Sequence, residues 1–169
     1  KEGFYLCGNA KLDAEGVIGD PTEVALMRWA LDNGVDAAQI IRQFPRVAEI
    51  PFDSRRKRMS TVHQTGLEKI VYVKGALESV LPLCTHLWQD GRRVELTTPM
   101  RRQIEEAAAQ MAGEALRVLV LATRTVASLD ESQFETRLCF IGMAGMIDPP
   151  KEGVKEAIAL AHKAGIDVV

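Results

Sequence analysis

The chain contains the stretch Pro51-Phe52-Asp53-Ser54-Arg55-Arg56-Lys57-Arg58-Met59-Ser60, in which polar residues separate two β-rich runs. Residues 47–52 and 59–64 are rich in β-branched and apolar side chains, which favour strands. We therefore expect two strands that are joined by a charged loop at 53–58. This loop follows directly on an aromatic ring, Phe52, and contains four consecutive cations.

The rest of the pattern alternates strands with helices. Further strands are predicted at 69–74, 118–126 and 138–147, with a hairpin around Asp90-Gly91 at 88–96 and helices at 37–43, 78–83 and 98–114. Because the strands are interspersed with helices that can cover them, we expect an α+β fold. In this fold an antiparallel β-sheet is flanked by helices.

A well-marked helix is predicted between Gly19 and Gly34. Asp20 is a typical N-cap residue, and Pro21 suits the first helical position. Glu23 follows the N-cap by three residues and can close a capping box. Gly34 suits the left-handed position that ends a helix. Glu23 thus has a structural role that competes with any role in binding.

Composition limits the possible functions. The chain has 169 residues, of which 47% are hydrophobic and 26% charged, as is typical of a globular domain. The net charge of −2 gives no overall field that attracts nucleic acid or anionic membranes, so any basic function must be local. No apolar run approaches the roughly 20 residues that a transmembrane helix needs.

The cysteines predict neither disulfides nor a metal site. Cys7, Cys84 and Cys139 are an odd number and widely spaced, which is typical of reduced cytosolic thiols. Cys84 lies close to His86 in the sequence, but no second pair completes a zinc site. We therefore expect no metal-binding residue in this chain.

The composition changes at Asp148-Pro149-Pro150. Beyond it, a helix is predicted at 152–164 and a buried strand at 166–169, which is half of a parallel α/β unit. The sequence begins without methionine and stops inside this strand-like run. We therefore expect a piece of a larger protein, with one domain at 1–147 and a hinge plus part of a second domain at 148–169.

Three residues around the basic loop are candidates for binding an aromatic polyanion such as a nucleoside triphosphate. Phe52 is either a plain core residue or a platform for a purine ring, on which stacking is worth roughly 1–3 kcal/mol. Lys57 could reach a triphosphate as a point charge, unless it belongs to a solvated charge run. Met59 could add a soft apolar contact to the ring.

Two later segments supply further candidates. Lys74 ends an alternating strand, where a half-buried lysine is often functional, and Gly75 lacks a Cβ that would keep a ring from the backbone. Arg117 could bridge ribose and phosphate oxygens, or it could pair with an acid such as Glu114. Leu119 lies on the same side of its strand as Arg117 and could close the apolar side of a purine.

Four motifs in this order resemble the nucleotide-binding domain of P-type cation-transporting ATPases. They are Gly19-Asp20-Pro21-Thr22-Glu23, the segment from Phe52 to Ser60, Val73-Lys74-Gly75-Ala76 and Leu116-Arg117-Val118-Leu119. The resemblance covers nearly the whole chain and is closest to calcium-pump-like members. The chain departs from the family pattern at Leu77, where a proline is common.

The resemblance implies a domain that binds ATP and ADP and presents the γ-phosphate to an aspartate in a neighbouring phosphorylation domain. The predicted ATP-binding residues are Thr22, Glu23, Phe52, Lys57, Met59, Lys74, Gly75, Arg117 and Leu119, with no catalytic residue among them. By resemblance, Phe52 stacks on adenine, Lys74 lies deep in the pocket and Glu23 accepts from the adenine amino group. At Asp148 to Pro150 the chain would rejoin the phosphorylation domain.

The resemblance also implies a setting for the domain. It is expected to be a monomeric, cytoplasmic part of an integral membrane protein. Its partners would be the phosphorylation and actuator domains of the same chain, and the full-length protein would use Mg²⁺.

Motifs for turnover do not occur in this sequence. The family's Asp-Lys-Thr-Gly-Thr and Gly-Asp-Gly-x-Asn-Asp motifs are absent, as is a Walker A loop. We therefore expect binding without hydrolysis, with a dissociation constant on the order of tens of µM to mM. One alternative is a nucleic-acid-binding module built on 55–58, against which the negative net charge argues. Another is a dehalogenase-like hydrolase fragment, whose Asp-x-Asp motif is absent.

Overall fold

The computed structural model describes residues 1–13, 16–147 and 153–166. The strands within these ranges are β1 (Lys11–Asp13), β2 (Gly16–Ile18), β3 (Arg46–Asp53), β4 (Arg58–Thr65), β5 (Glu68–Gly75), β6 (Cys84–Gln89), β7 (Arg92–Glu95), β8 (Arg117–Val126) and β9 (Leu138–Met146). The helices are α1 (Glu2–Leu6), α2 (Pro21–Asp32), α3 (Ala37–Gln43), α4 (Leu77–Val80), α5 (Thr98–Gly113) and α6 (Val154–Lys163). None of these described helices is long and apolar enough to span a membrane.

Seven strands form the central sheet, in the order β3-β4-β5-β8-β9-β6-β7. Its neighbours pair antiparallel except β6 and β9, which run parallel. The parallel pair was not predicted. It arises because α4 lies between β5 and β6, so the chain crosses over and re-enters the sheet in its original direction. The prediction of an α+β fold with a mainly antiparallel sheet is confirmed.

The core lies on both faces of this sheet. Alternation along β5 places Val71 and Val73 in one apolar cluster, which α4 and α5 help to form. Tyr72 belongs to a second cluster on the opposite face, to which α1, α2 and α3 contribute. Lys74 follows Tyr72 by two residues and therefore leaves the sheet on this second face. The period of the strand thus decides which cluster lies beside Lys74.

Helix α2 begins and ends where local signals predict. The Asp20 side chain accepts a hydrogen bond from the Thr22 amide at 2.9 Å, and Gly34 adopts a left-handed φ of +84° just beyond the helix. The expected capping box is wrong, because the carboxylate of Glu23 accepts from Asn9 and Lys74 instead. Helix α2 therefore carries Glu23 toward the sheet.

Of the other predicted elements, one is confirmed, one differs in detail, and three short observed elements were not predicted. The expected hairpin at Asp90-Gly91 is confirmed, with positive φ at both residues as a tight turn requires. The helix expected at 78–83 is α4 followed by a 3₁₀ turn at Leu81–Leu83. The three elements nearest the N-terminus were missed, because runs of 3–5 residues show no periodicity.

The C-terminal predictions are covered in part. Helix α6 occupies most of the expected range 152–164, and none of its residues is buried. The expected hinge at Asp148 to Pro150 lies outside the described residues. The strand expected at 166–169 also falls mainly outside them, and Ile166 belongs to no strand.

Candidate functional site

Three strand ends meet at one end of the sheet. In the register of β3, β4 and β5, Asp53 pairs with Arg58 and Arg58 pairs with Gly75. Because these pairings join the end of β3, the start of β4 and the end of β5, they bring Phe52 close to Lys74. The turn of residues 54–57 connects β3 to β4 at this same end.

A cavity of about 400 Å³ opens at this end of the sheet, which is within the usual range for small-molecule sites. It is lined by Asn9, Asp20, Thr22, Glu23, Phe52, Met59, Lys74, Gly75, Arg117 and Leu119. Eight of the nine predicted site residues are in this set, and Lys57 is the ninth. The four predicted motifs and a fifth segment that contains Asn9 thus converge on one concave surface.

The apolar part of the cavity combines an exposed ring with a buried floor. Phe52 is 61% exposed, so it is not the core residue that its size alone would suggest. Met59 is almost fully buried and Leu119 is half-buried, and both face the same cavity. An aromatic face above an apolar floor is suited to hold a flat ring by stacking.

An ion pair forms the polar part of the cavity wall. The Lys74 ammonium donates to Oε1 of Glu23 at 2.9 Å, and the side chains are only 6% and 17% exposed. The Asn9 amide donates to the other oxygen, Oε2, at 2.8 Å. Glu23 is therefore fixed as an acceptor that faces the cavity. Asn9 was missed, since no sequence pattern singles it out.

Arg117 joins the start of β8 to the start of α2. Its Nη1 donates to Oγ1 of Thr22 at 3.0 Å. Asp20, identified from the sequence only as a helix cap, lines the cavity beside Thr22. The guanidinium is exposed, so this rim of the cavity carries positive charge that a polyanion can reach.

Lys57 lies in the adjoining turn and does not line the cavity. Its Nζ donates to Oε1 of Glu78 at 2.8 Å, and both side chains are more than half exposed. The hydrogen bond from Lys57 to Glu78 raises the pKa of the lysine and lowers that of Glu78. An exposed pair of this kind contributes little to stability, so a stronger anion can displace it. A role for Lys57 in binding stays a prediction.

Gly75 is required by the neighbouring strand. A Cβ placed on Gly75 would lie 2.5 Å from both the Lys57 carbonyl oxygen and the Arg58 Cβ. The Ala76 amide also donates to the Lys57 carbonyl at 3.0 Å. The missing side chain was expected to admit a ligand ring, but it first allows the 54–57 turn to pack against β5.

We expect Gly75→Ala to lower the free energy of unfolding by about 1–3 kcal/mol, because the new methyl group overlaps backbone atoms. Chemical denaturation monitored by circular dichroism measures the change. Gly142→Ala is the matched control, since Gly142 also lies in a strand but has nothing within 4 Å of its Cβ position. Equal stability of the two variants would contradict the packing argument.

Arg56 and Arg58 are partly buried and paired with a carboxylate, whereas Arg55 is exposed, so the four cations are not one solvated charge run. Arg56 Nη1 lies 2.9 and 2.8 Å from the two carboxylate oxygens of Glu135, and Arg58 Nε lies 2.7 Å from Oε2. Burial works to raise the pKa of Glu135, but hydrogen bonds from Ser60, Arg58 and Arg56 hold it below its usual range. Sequence patterns gave no indication of Glu135, which lies 79 residues from Arg56.

Cys7, Cys84 and Cys139 are buried free thiols. Burial raises the pKa of Cys84 to about 12, which makes it a poor nucleophile. In the ranges that the structure describes, no three His, Cys, Asp or Glu side chains cluster as a metal site would need.

The sequence matches a known protein family. A family model described as the P-type ATPase cytoplasmic domain N matches residues 4–153. The chain belongs to this family and is a cytoplasmic domain of the calcium-pump-like kind.

Several full-length relatives are similar. Calcium-transporting ATPase 1 of Bacillus cereus is 41% identical over 99% of this chain and 19% of its own length. Cation-transporting ATPase pma1 of Synechocystis is 40% identical over 96% of the chain and 19% of the relative. Calcium-transporting ATPase 1 of Lactococcus lactis is 36% identical over 98% and 19%, respectively. The chain thus spans about a fifth of the length of these relatives.

Proposed function

We propose that this domain binds ATP in the cavity at the end of the sheet. The observation that carries the proposal is that eight of nine residues predicted to bind ATP line this one cavity. In this arrangement adenine stacks on Phe52 above Met59 and Leu119. The ring replaces water on the exposed face of Phe52, which favours binding.

The ion pair gives the site a preference among bases. Both oxygens of Glu23 accept hydrogen bonds, as expected of an ionised carboxylate, which has no hydrogen to donate. Any further hydrogen bond to Glu23 must therefore come from a donor on the ligand. The exocyclic amino group of adenine is a donor and suits this position, whereas guanine presents a carbonyl oxygen there. Lys74 can donate to a ring nitrogen without leaving Glu23, because an ammonium has three donors.

The triphosphate extends toward the cationic rim of the cavity. Arg117 can bind phosphate oxygens through its planar fork, while Lys57 can turn from Glu78 to the phosphates. The γ-phosphate then leaves this domain and is presented to an aspartate of a neighbouring phosphorylation domain. Mg²⁺ is proposed for the full-length protein because membership of the P-type ATPase family implies its use.

The proposal for the whole protein follows from its relatives. These relatives are named as calcium-transporting or cation-transporting ATPases. We propose that a chain containing this domain couples ATP hydrolysis to cation transport. The proposed partners of the domain are the phosphorylation and actuator domains of its own chain. The nucleic-acid alternative is weakened because Arg56 and Arg58 are both held by Glu135.

An ATP titration of the 169-residue chain, followed by amide chemical shifts, tests the binding proposal. We expect saturable shifts around the cavity with a dissociation constant on the order of tens of µM to mM, weaker binding of GTP and no release of phosphate. Absence of ATP-induced shifts throughout the mM range would refute the proposal. Tighter, steeply salt-dependent binding of RNA would favour the nucleic-acid alternative instead.

We further propose that the nucleotide-binding domain comprises 1–147 and that 148–169 belongs to a hinge and a phosphorylation-domain segment. Support comes from α6, which buries none of its residues, and from the family match, which ends at Gly153. Removal of 148–169 should therefore leave the unfolding midpoint and ATP affinity nearly unchanged. Thermal unfolding and the same ATP titration measure both, and a large loss of stability would contradict the boundary.

A further inference from the structure

The position of Phe52 is set by its backbone. Because its ring is mostly exposed, packing of the side chain does little to hold it. Within the turn, Asp53 Oδ1 accepts from the Arg55 and Arg56 amides at 2.9 Å each. The Lys57 amide donates to the Asp53 carbonyl at 2.7 Å. These bonds give the turn its shape but do not connect it to the rest of the domain.

The Ala76 amide holds the turn at the Lys57 carbonyl, and a second connection is made by Arg56. Its Nη1 binds both oxygens of Glu135, while its Nη2 donates to the carbonyl of Pro51 at 3.1 Å. Pro51 immediately precedes Phe52, so one guanidinium joins Glu135 to the backbone that carries the ring. A planar guanidinium with several N–H groups can hold two such partners at once in a fixed geometry.

Two further bonds attach the start of β4 to the same carboxylate. Arg58 Nε donates to Oε2 of Glu135 at 2.7 Å, and Ser60 Oγ donates to Oε1 at 2.6 Å. Glu135 thus binds the residues on both sides of Lys57. The residue Glu135 is only 9% exposed, and the lowered pKa of its carboxyl group keeps that group charged at neutral pH.

Glu135 is itself firmly held. Its neighbour Phe134 is fully buried in the cluster on the α4 and α5 side of the sheet. Arg124 donates to the carbonyls of Gln133 and Thr136 at 2.7 and 2.8 Å and so fixes the backbone on both sides. The carboxylate is therefore a fixed point against which the 54–57 turn is oriented.

We propose that Glu135 is a positioning residue for the nucleotide, which holds the β3–β4 turn through Arg56 and Arg58 and so keeps Phe52 over the cavity. This inference rests on the proposed ATP-binding function. Glu135 does not line the cavity. It acts through the backbone of Pro51 and Phe52, at the far end of an ion-pair network.

Two charge-matched variants in the same turn test the inference. Arg56→Ala and Arg55→Ala each remove one positive charge from adjacent positions, so their long-range effect on a polyanion is similar. Arg56 belongs to the Glu135 network, whereas the exposed Arg55 side chain pairs with no described residue. We expect Arg56→Ala to weaken ATP binding about fivefold or more relative to Arg55→Ala, as partial loss of a stacked base would. Equal affinities would overturn the inference.

A double-mutant cycle gives a readout that general destabilisation does not affect. We expect Glu135→Gln to weaken ATP binding about fivefold when Phe52 is present and less than twofold in a Phe52→Ala background. Equal effects in both backgrounds would overturn the inference. If Glu135→Gln does not fold, the same cycle with Arg56→Ala decides. If the parent chain itself fails to bind ATP, the proposed function fails, whereas parental binding without coupling refutes only the role of Glu135.

Discussion

Phe52→Ala is expected to weaken ATP binding by about 5- to 150-fold, which corresponds to the roughly 1–3 kcal/mol that a base gains by stacking on an aromatic ring. The free energy of unfolding should change by no more than about 0.5 kcal/mol, because the ring is mostly exposed. Isothermal titration and chemical denaturation on the same preparation measure the two quantities.

The matched control for Phe52 is another exposed aromatic residue. Trp88 is 51% exposed on β6 and does not line the cavity. Trp88→Ala should therefore leave ATP affinity unchanged within twofold, as expected for a site remote from the ligand. If Phe52→Ala binds ATP as the parent does, adenine does not stack on this ring.

Lys74→Ala should have the largest effect on both binding and stability. It leaves the carboxylate of Glu23 largely buried without its ammonium partner, and breaking such a pair costs about 3 kcal/mol or more. The variant should also lose the donor to the purine, so that ATP binding falls below detection. Denaturation and ATP titration are the measurements.

A double variant separates the two effects of Lys74. Glu23→Gln with Lys74→Met removes both charges at similar volume, and the Asn9 amide can still donate to the glutamine oxygen. Stability should return to near the parental value, because a neutral pair replaces a buried ion pair without a large cost. ATP binding should not return. Parental ATP affinity in the double variant would show that the ion pair serves the fold alone.

Local signals explain why much of the fold was predictable. Helix α2 is delimited by Asp20, Pro21 and Gly34, whose roles as cap, first residue and stop depend only on nearby backbone. The alternation of β5 placed Lys74 on the correct face because strand period needs no tertiary information. The parallel entry of β6 depends instead on where β8 and β9 insert, which lies beyond local pattern.

The residues of the candidate site also fall into two groups, those that sequence motifs identify and those that only the packing of distant segments identifies. Phe52, Lys74 and Arg117 could be selected because their motifs resemble those of a known family, and all three line the cavity. The partners that orient the site could not be selected. Glu135 lies 77 residues from Arg58, and Asn9 contributes a backbone amide that every residue type except proline has. Contacts of this kind are established only when distant segments pack together.

The ion pair between Glu23 and Lys74 has a consequence for how ionic strength affects the domain. Its two charges cancel, so the part of the cavity that would receive the base is electrically neutral. Lys57 and Arg117 are exposed cations, and mobile ions screen such groups over about 10 Å at 0.1 M salt. For the proposed binding mode, we therefore expect added salt to reduce the preference for ATP over adenosine and to leave the affinity for adenosine nearly unchanged.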